Sequence, residues 1–298
     1  MKTKVIIDTD IGDDVDDALA IALALCSPEL EIVGITTVFR NTTLRAKLAK
    51  KLVQVFGRPD IPVVKGIEKP LINDWDRTLI PPQTRAVKEE IPIDEEIGAV
   101  DFIVDRVMNS SDQITLITIG PLTNVAIALT KEPRLKERTR ICMMGGMYSQ
   151  AFPEWNIYCD PEAARIVFDS GIPITMVGLD VTLQCRLNKA ALNRIFESGD
   201  ERMRFLSEVI KIWQEGDENR YPILHDPLAV AVLIDPSFVK MKKMNIKVET
   251  RGELTRGVTV VTENPFQGFS GEGSVNVCVD VESERFVRFF LERILAPC

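Results

Sequence analysis

The sequence predicts an α/β protein, a mostly parallel central sheet flanked by helices, carried as a single domain over residues 1–298. Three observations predict it. Short β-branched runs alternate with longer stretches of helical period, which is the rhythm of βαβ units. No low-complexity linker, internal repeat or charge block interrupts the chain. A hydrophobic fraction of 45% is enough to build a sizeable buried core.

The elements follow in order. VIID at 5–8 reads as a strand, DDALAIALALC at 16–26 as a helix, IVGITTV at 32–38 as a strand and TLRAKLAKKLVQVF at 43–56 as a helix. PVV at 62–64 continues the series, followed by a helix near 97–109, ITLITI at 114–119, LTNVAIAL at 122–129 and ICMM at 141–144. PEAARIVFDSG at 161–171 and ITMVGLD at 174–180 complete the alternating part. Residues 65–95 hold several prolines and no period, so they read as a long loop beside a site. After about residue 188 come three helical patterns, LNKAALNRIFES, ERMRFLSEVIKIWQEG and DPLAVAVLI. NIKVET, GVTVV and VNVCVDV then read as strands before a final amphipathic helix.

Charge and cysteine usage narrow the partners. A net charge of −8, from 44 acidic against 36 basic residues, argues against nucleic-acid backbones and anionic membrane surfaces and leaves a small neutral or cationic ligand. Cys26, Cys142, Cys159, Cys185, Cys278 and Cys298 form no CxxC pair and sit mostly in apolar runs, so they read as reduced core thiols. Met1 leads directly into KVIID and no apolar run approaches the ~20 residues of a membrane span. The expectation is a cytoplasmic protein.

In open α/β sheets ligands bind beyond the carboxyl ends of the strands, and the unusual residues of this chain fall there. DTDIGDDVDD at 8–17 packs six carboxylates into ten residues between a buried strand and an apolar helix. An isolated acidic run is most often a solvated face, but like charges squeezed between buried elements repel strongly unless a cation joins them. Oxygen ligands without Cys or His suit Ca²⁺ or Mg²⁺ better than zinc. The spacing is not that of an EF-hand, since Asp13 falls where the turn glycine belongs and Leu19 where the closing glutamate belongs.

The lone histidine, His225, precedes Asp226 and Pro227 at a helix start, which aims both side chains out of the helix N-terminus. The plainer alternative makes Asp226 an N-cap. Glu154 and Asn156, two apart after a glycine pair, face the same way if their stretch is extended, and such residues suit sugar hydroxyls. The Gly-Pro turn in ITIGPLTN leaves the Ile119 carbonyl free of the ladder, and a free carbonyl is a good calcium ligand.

Taken together, IIDTDIGDDVDDALAI, TTVFRN, IGPLTN, MMGG, EWNIYCDPEAA, GLDVT and LHDPLAVAVLIDP resemble the inosine-uridine preferring nucleoside hydrolase family, with LTRGVTVV extending the likeness. The resemblance implies a nucleoside hydrolase-like fold, a homodimer or homotetramer, one Ca²⁺, and cleavage of ribonucleosides to ribose and free base in purine or pyrimidine salvage. It implies that Asp10 is a metal ligand and general base, and that Asp17, the Ile119 carbonyl and Asp226 complete the protein ligands. Asp16, Asn41, Glu154 and Asn156 match positions that hold ribose, and His225 matches the proton donor to the leaving base.

The loop departs from the family's usual DxDPGxDD by Ile11 and two extra residues, so Asp13 and Asp14 compete with Asp16 and Asp17 for these roles. Arg40 stands where a glycine often precedes the asparagine, and residues 65–95 lack the histidine many members carry. Two other functions compete with this reading. A phosphatase of the haloacid dehalogenase type also begins with a strand ending in DxD, but it leaves EWN and HDP without a role. A non-catalytic calcium- or ribose-binding protein conflicts with the retention of Asp10 and His225.

Overall fold

The computed structural model describes residues 2–93, 96–262 and 273–297. It opens with β1 (Thr3–Thr9), α1 (Asp16–Leu25), β2 (Leu30–Thr37), α2 (Thr42–Val55) and β3 (Val63–Val64). After a 3-10 turn at Pro82–Ala86 come α3 (Ala99–Asn109), β4 (Ile114–Thr118), α4 (Thr123–Lys131), α5 (Leu135–Arg138) and β5 (Thr139–Met144). Next are α6 (Trp155–Cys159), α7 (Pro161–Asp169), β6 (Ile174–Val177), α8 (Leu179–Thr182), α9 (Lys189–Phe196), α10 (Glu201–Gln214) and α11 (His225–Ile234). The chain ends with β7 (Val239–Met244), β8 (Ile246–Val248), β9 (Thr259–Val261), β10 (Val275–Val281) and α12 (Ser283–Leu295).

Eight strands form one sheet in the order β3-β2-β1-β4-β5-β6-β10-β7, parallel throughout except for the β10–β7 pair. The strand order reverses beside β1, so the loops after β1 and β4 diverge and leave a crevice at their carboxyl ends. One apolar face packs under α1, α2, α10, α11 and α12, the other under α3, α4 and α7. Strands covered on both faces must be apolar on both, which is why Val5, Ile6 and Ile7 are all fully buried.

The structure adds two features at the C-terminal strands and corrects one expectation about the cysteines. NIKVET and GVTVV do form strands, but they pair with each other as a separate two-stranded ribbon, β8 with β9. β7 carries VKMKKM, whose three lysines blunt the sheet's edge. Cys142, Cys159, Cys185 and Cys278 are free and buried as expected, but Cys26 is disulfide-bonded. Cys298 lies outside the described residues. The final helix is α12, and no helix among the described residues is long and apolar enough to cross a membrane.

Candidate active site and metal centre

The carboxylate loop runs from the end of β1 into the first turn of α1, whose N-terminal dipole favours the negative charge of Asp16 and Asp17. Asp16, Asp17 and Asp226 each present an oxygen within 4.8 Å of the others, and all three are buried. Burial raises each well above the ordinary carboxylate range, and repulsion among the crowded carboxylates, Asp10 and Asp14 included, raises them further. Ionised, such a group needs a cation. Three oxygen donors without sulfur or imidazole fit a hard divalent ion. Thr9 donates its hydroxyl to Asp17, and the Asp226 amide donates to Asp16 Oδ2 at 3.3 Å.

Asp10 lines the same cavity beside this group. Burial lifts it to about 7, Arg45 pulls it down, and Asp13 and Glu154 push it up. The turn after β4 packs against it so closely that a Cβ on Gly120 would lie 2.8 Å from Asp10 Oδ1. Gly120 thus lets the turn after β4 pack directly against Asp10 before the two connections part. Beyond β4, the Ile119 amide continues the ladder to the Asp8 carbonyl at 2.8 Å, while its own carbonyl accepts from Asn156 Nδ2 at 3.3 Å.

Asp13 and Asp14 line the same cavity. Asp13 pairs with Arg45 at 2.7 Å, and Asp14 accepts from the Val15 amide at 2.6 Å. Arg45 has no solvent exposure. It donates to the carbonyls of Phe39, Asp10 and Ile11 as well, so one buried guanidinium fixes the path of the carboxylate loop. Gln83, from the long loop, donates to the Asp14 carbonyl at 2.6 Å and props the loop from outside.

Glu154 and Asn156 do not lie on an extended stretch. Glu154 is the N-cap of α6, accepting from the amides of Asn156 at 2.9 Å, Gly146 at 3.0 Å and Ile157 at 3.1 Å. A cap of this kind still leaves the carboxylate on the cavity wall. Asn156 turns its amide nitrogen to the carbonyls of Ile119 and Met144. Nothing among the described residues donates to its oxygen, which suits it to accept from a ligand hydroxyl.

His225 begins α11 and Asp226 follows it inside the first turn, so Asp226 is not the N-cap; Leu224 holds that position without a side-chain bond. His225 Nδ1 lies 2.7 Å from the Thr182 hydroxyl. Burial, with the charge of Arg186, lowers the ring to about 4.

Asp10, Asp16, Asp17, Ile119, Glu154, Asn156, His225 and Asp226 therefore meet in one cavity of about 480 Å³. Asn41 does not join them: it caps α2 by accepting from the Leu44 amide at 3.1 Å and opens on a neighbouring cleft. Arg45 and Thr182 were not singled out from sequence. Thr182 does fall inside GLDVT, where Asp180 also accepts from the Tyr148 and Ser149 amides and holds the loop before Glu154.

A doubly wound sheet with a metal-competent carboxylate group, a polar wall and one histidine at its switch point defines an α/β protein that handles a small molecule there. Comparison with known proteins gives the family. The model of the inosine-uridine preferring nucleoside hydrolases matches residues 5–288, and the chain belongs to that family of N-glycoside hydrolases. The chain is 34% identical over 314 residues to the pyrimidine-specific ribonucleoside hydrolase RihA of Salmonella gallinarum, covering 99% of each. Among solved structures it is similar to a plant nucleoside hydrolase, with TM-score 0.87 and 29% identity over 100% of both chains. It is also similar to a purine-preferring ribonucleoside hydrolase from Gardnerella vaginalis, with TM-score 0.86 and 33% identity over 98% of both chains.

Proposed function

We propose that this chain hydrolyses the N-glycosidic bond of ribonucleosides, with Asp10 as general base, His225 serving the leaving base, and Ca²⁺ as the resident ion. The observation that carries the reading is the meeting of Asp10, the Asp16, Asp17 and Asp226 group, and His225 in one cavity. Asp10, Asp17, Asp226 and the Ile119 carbonyl would hold the ion, all oxygen donors. When bound, Ca²⁺ supplies positive charge that eases deprotonation of a water and orients the sugar diol.

Asp10 takes the proton of the attacking water, and the water oxygen bonds to C1′ as the C1′–N bond breaks and its electron pair leaves with the base. A value near 7 suits a base working at neutral pH, and a divalent cation alongside favours its ionised form. Asp16, Glu154 and Asn156 present acceptors to the ribose hydroxyls. Asn41 could add to them only from the neighbouring cleft.

His225 meets the substrate neutral. With the Thr182 hydroxyl donating to Nδ1, the proton sits on Nε2, which then hydrogen-bonds the departing base. Negative charge developing on the base strengthens this hydrogen bond as the C1′–N bond breaks, solvent supplies the proton that the departed base finally takes up, and the ring stays neutral throughout. The relatives' names point to both pyrimidine and purine nucleosides, and the cavity here is read only as a ribonucleoside site. The other expectations, cytoplasmic location and a homodimer or homotetramer, stand as proposals alongside.

Reducing sugar measured after incubation with uridine, cytidine, inosine, adenosine and guanosine tests the reading. Ribose and free base should appear in equal amounts. Release of phosphate from nucleotides with no sugar from any nucleoside would support the phosphatase, and tight ribose binding without turnover the binding protein.

A further inference from the structure

Resting on the ribonucleoside reading, we propose that Arg40 reads the 5′ end of the sugar, donating hydrogen bonds from its guanidinium to the 5′-hydroxyl oxygen. Arg40 has φ +58° and follows Phe39 at φ +70°, two consecutive non-glycine residues in the left-handed region. Such a backbone costs energy and persists only where its surroundings enforce it. Here the Phe39 and Arg40 amides donate to the carbonyls of Ile67 and Glu68, each at 2.8 Å. The Arg40 side chain lies on the wall of the catalytic cavity, which Asp10 and Asp13 also line.

The guanidinium is held by aromatic faces, 5.0 Å from the Phe39 ring centre and 5.2 Å from that of Trp75. Its hydrogen bonding is incomplete. Nε is buried with no partner among the described residues. The nearest carboxylate, Asp13, stands 3.8 Å from Arg40 Nη1 and is already paired with Arg45 at 2.7 Å. Nε is closed off from the cavity, whereas Nη1 and Nη2 make no hydrogen bond among the described residues and are the N–H groups from which a ligand oxygen can accept.

Which oxygen follows from chemistry and topology. Arginine only donates, whereas Asp16, Glu154 and the other carboxylates only accept when ionised. The acceptors suit the ring hydroxyls as donors, and Arg40 suits an oxygen used as an acceptor. Arg40 follows β2 on one side of β1; His225 is held from the other side, by Thr182 after β6. The base on C1′ must face His225. With C1′ toward His225 the far side of the ring is C3′–C4′, and with the 2′,3′-diol turned to the carboxylate group the oxygen left for Arg40 is the hydroxyl carried on C4′ through C5′.

The test compares wild type, Arg40→Met and Arg40→Lys on uridine and inosine and on their 5′-deoxy counterparts. All three enzymes keep a side chain at the strained position, so the backbone is perturbed alike. Arg40→Met should lower kcat/KM on the nucleosides by about 10- to 100-fold, the range for a hydrogen bond from a charged donor. Wild type should lose a similar factor on the 5′-deoxy substrates, and Arg40→Met should lose little more on them, as expected for coupled partners. Arg40→Lys, which keeps charge without the planar fork, should recover part of the loss.

Equal losses on both substrates would overturn the assignment and leave Arg40 a wall residue. If Arg40→Met unfolds, the same ratio is read on Arg40→Lys. Cleavage of a nucleoside 5′-monophosphate faster than the nucleoside, with that preference lost in Arg40→Met, would overturn the hydroxyl in favour of an anionic substituent. No cleavage of any nucleoside by wild type would overturn the ribonucleoside reading itself, and the role of Arg40 would fall with it.

Discussion

Chelation should leave the folded chain progressively less stable as pH rises from about 4 to 7, and Ca²⁺ should remove that loss. Burial raises Asp8 and Asp10 to about 7, and burial with mutual repulsion raises Asp16, Asp17 and Asp226 well above the carboxylate range. Without a cation the folded state holds protons that the unfolded chain gives up near pH 4. Because the folded values are raised, this contribution is complete below about pH 4 and is lost as pH climbs through 7. Moving one carboxyl from its ordinary value to about 7 corresponds to about 4 kcal/mol, so Asp8 and Asp10 together carry about 8 kcal/mol.

His225 acts in the opposite direction. Its value falls from 6.5 to about 4, which adds about 3 kcal/mol as pH rises through that interval. The carboxylates win by about 5 kcal/mol before the Asp16, Asp17 and Asp226 group adds its share, a loss comparable to the whole stability of many proteins. Urea unfolding followed by tryptophan fluorescence at several pH values, in chelator and in saturating Ca²⁺, measures it. A midpoint in chelator that stays constant or climbs between pH 5 and 7 would refute the reasoning.

Other substitutions separate the roles. Asp17→Asn should lower nucleoside cleavage by at least about 100-fold and weaken Ca²⁺ binding in calorimetry, while making the chelated protein more stable at pH 7 because folding no longer has to keep a raised carboxyl at this position. Arg45→Met should cost about 3 to 5 kcal/mol in urea unfolding, since it strands three carbonyls and Asp13; a cost below about 1 kcal/mol would mean the loop holds itself. His225→Ala should slow inosine or uridine cleavage by about 10² to 10⁴-fold yet leave a p-nitrophenyl riboside nearly untouched, because its leaving group needs no proton. Equal losses on the two substrates would remove His225 from the reaction. Thr182→Val should show a weaker form of the same selectivity and Thr182→Ser should restore it, whereas loss of stability alone would make Thr182 a packing residue.

Much of this was legible in the sequence because periodicity and strand ends are local signals. DTDIGDDVDD could be placed at a strand end from the apolar runs on either side, and the cavity brings Asp10, Asp16, Asp17 and Asp226 together as that placement implied. What stayed hidden depends on tertiary contact. Arg45 sits in an ordinary helical pattern, and only the packing of α2 against the carboxylate loop makes it a fully buried clamp. β7 mixes lysine with apolar residues in a way that six residues alone do not distinguish from a loop. Glu154 looked like half of an extended pair because spacing says nothing of a cap, and Asn41 was turned to the neighbouring cleft by its bond to Leu44. The contacts that distinguish the loop aspartates come from elsewhere in the chain: Arg45 pairs with Asp13, and Asp226 comes within reach of Asp16 and Asp17.

The most direct test of the account is a Ca²⁺ titration into chelated enzyme with a ribonucleoside present, following free base by absorbance and bound ion in parallel. Base release should return in proportion to bound Ca²⁺ and level off when each chain holds one ion. Full activity before any Ca²⁺ is added, or no base from any ribonucleoside at saturation, would contradict the account.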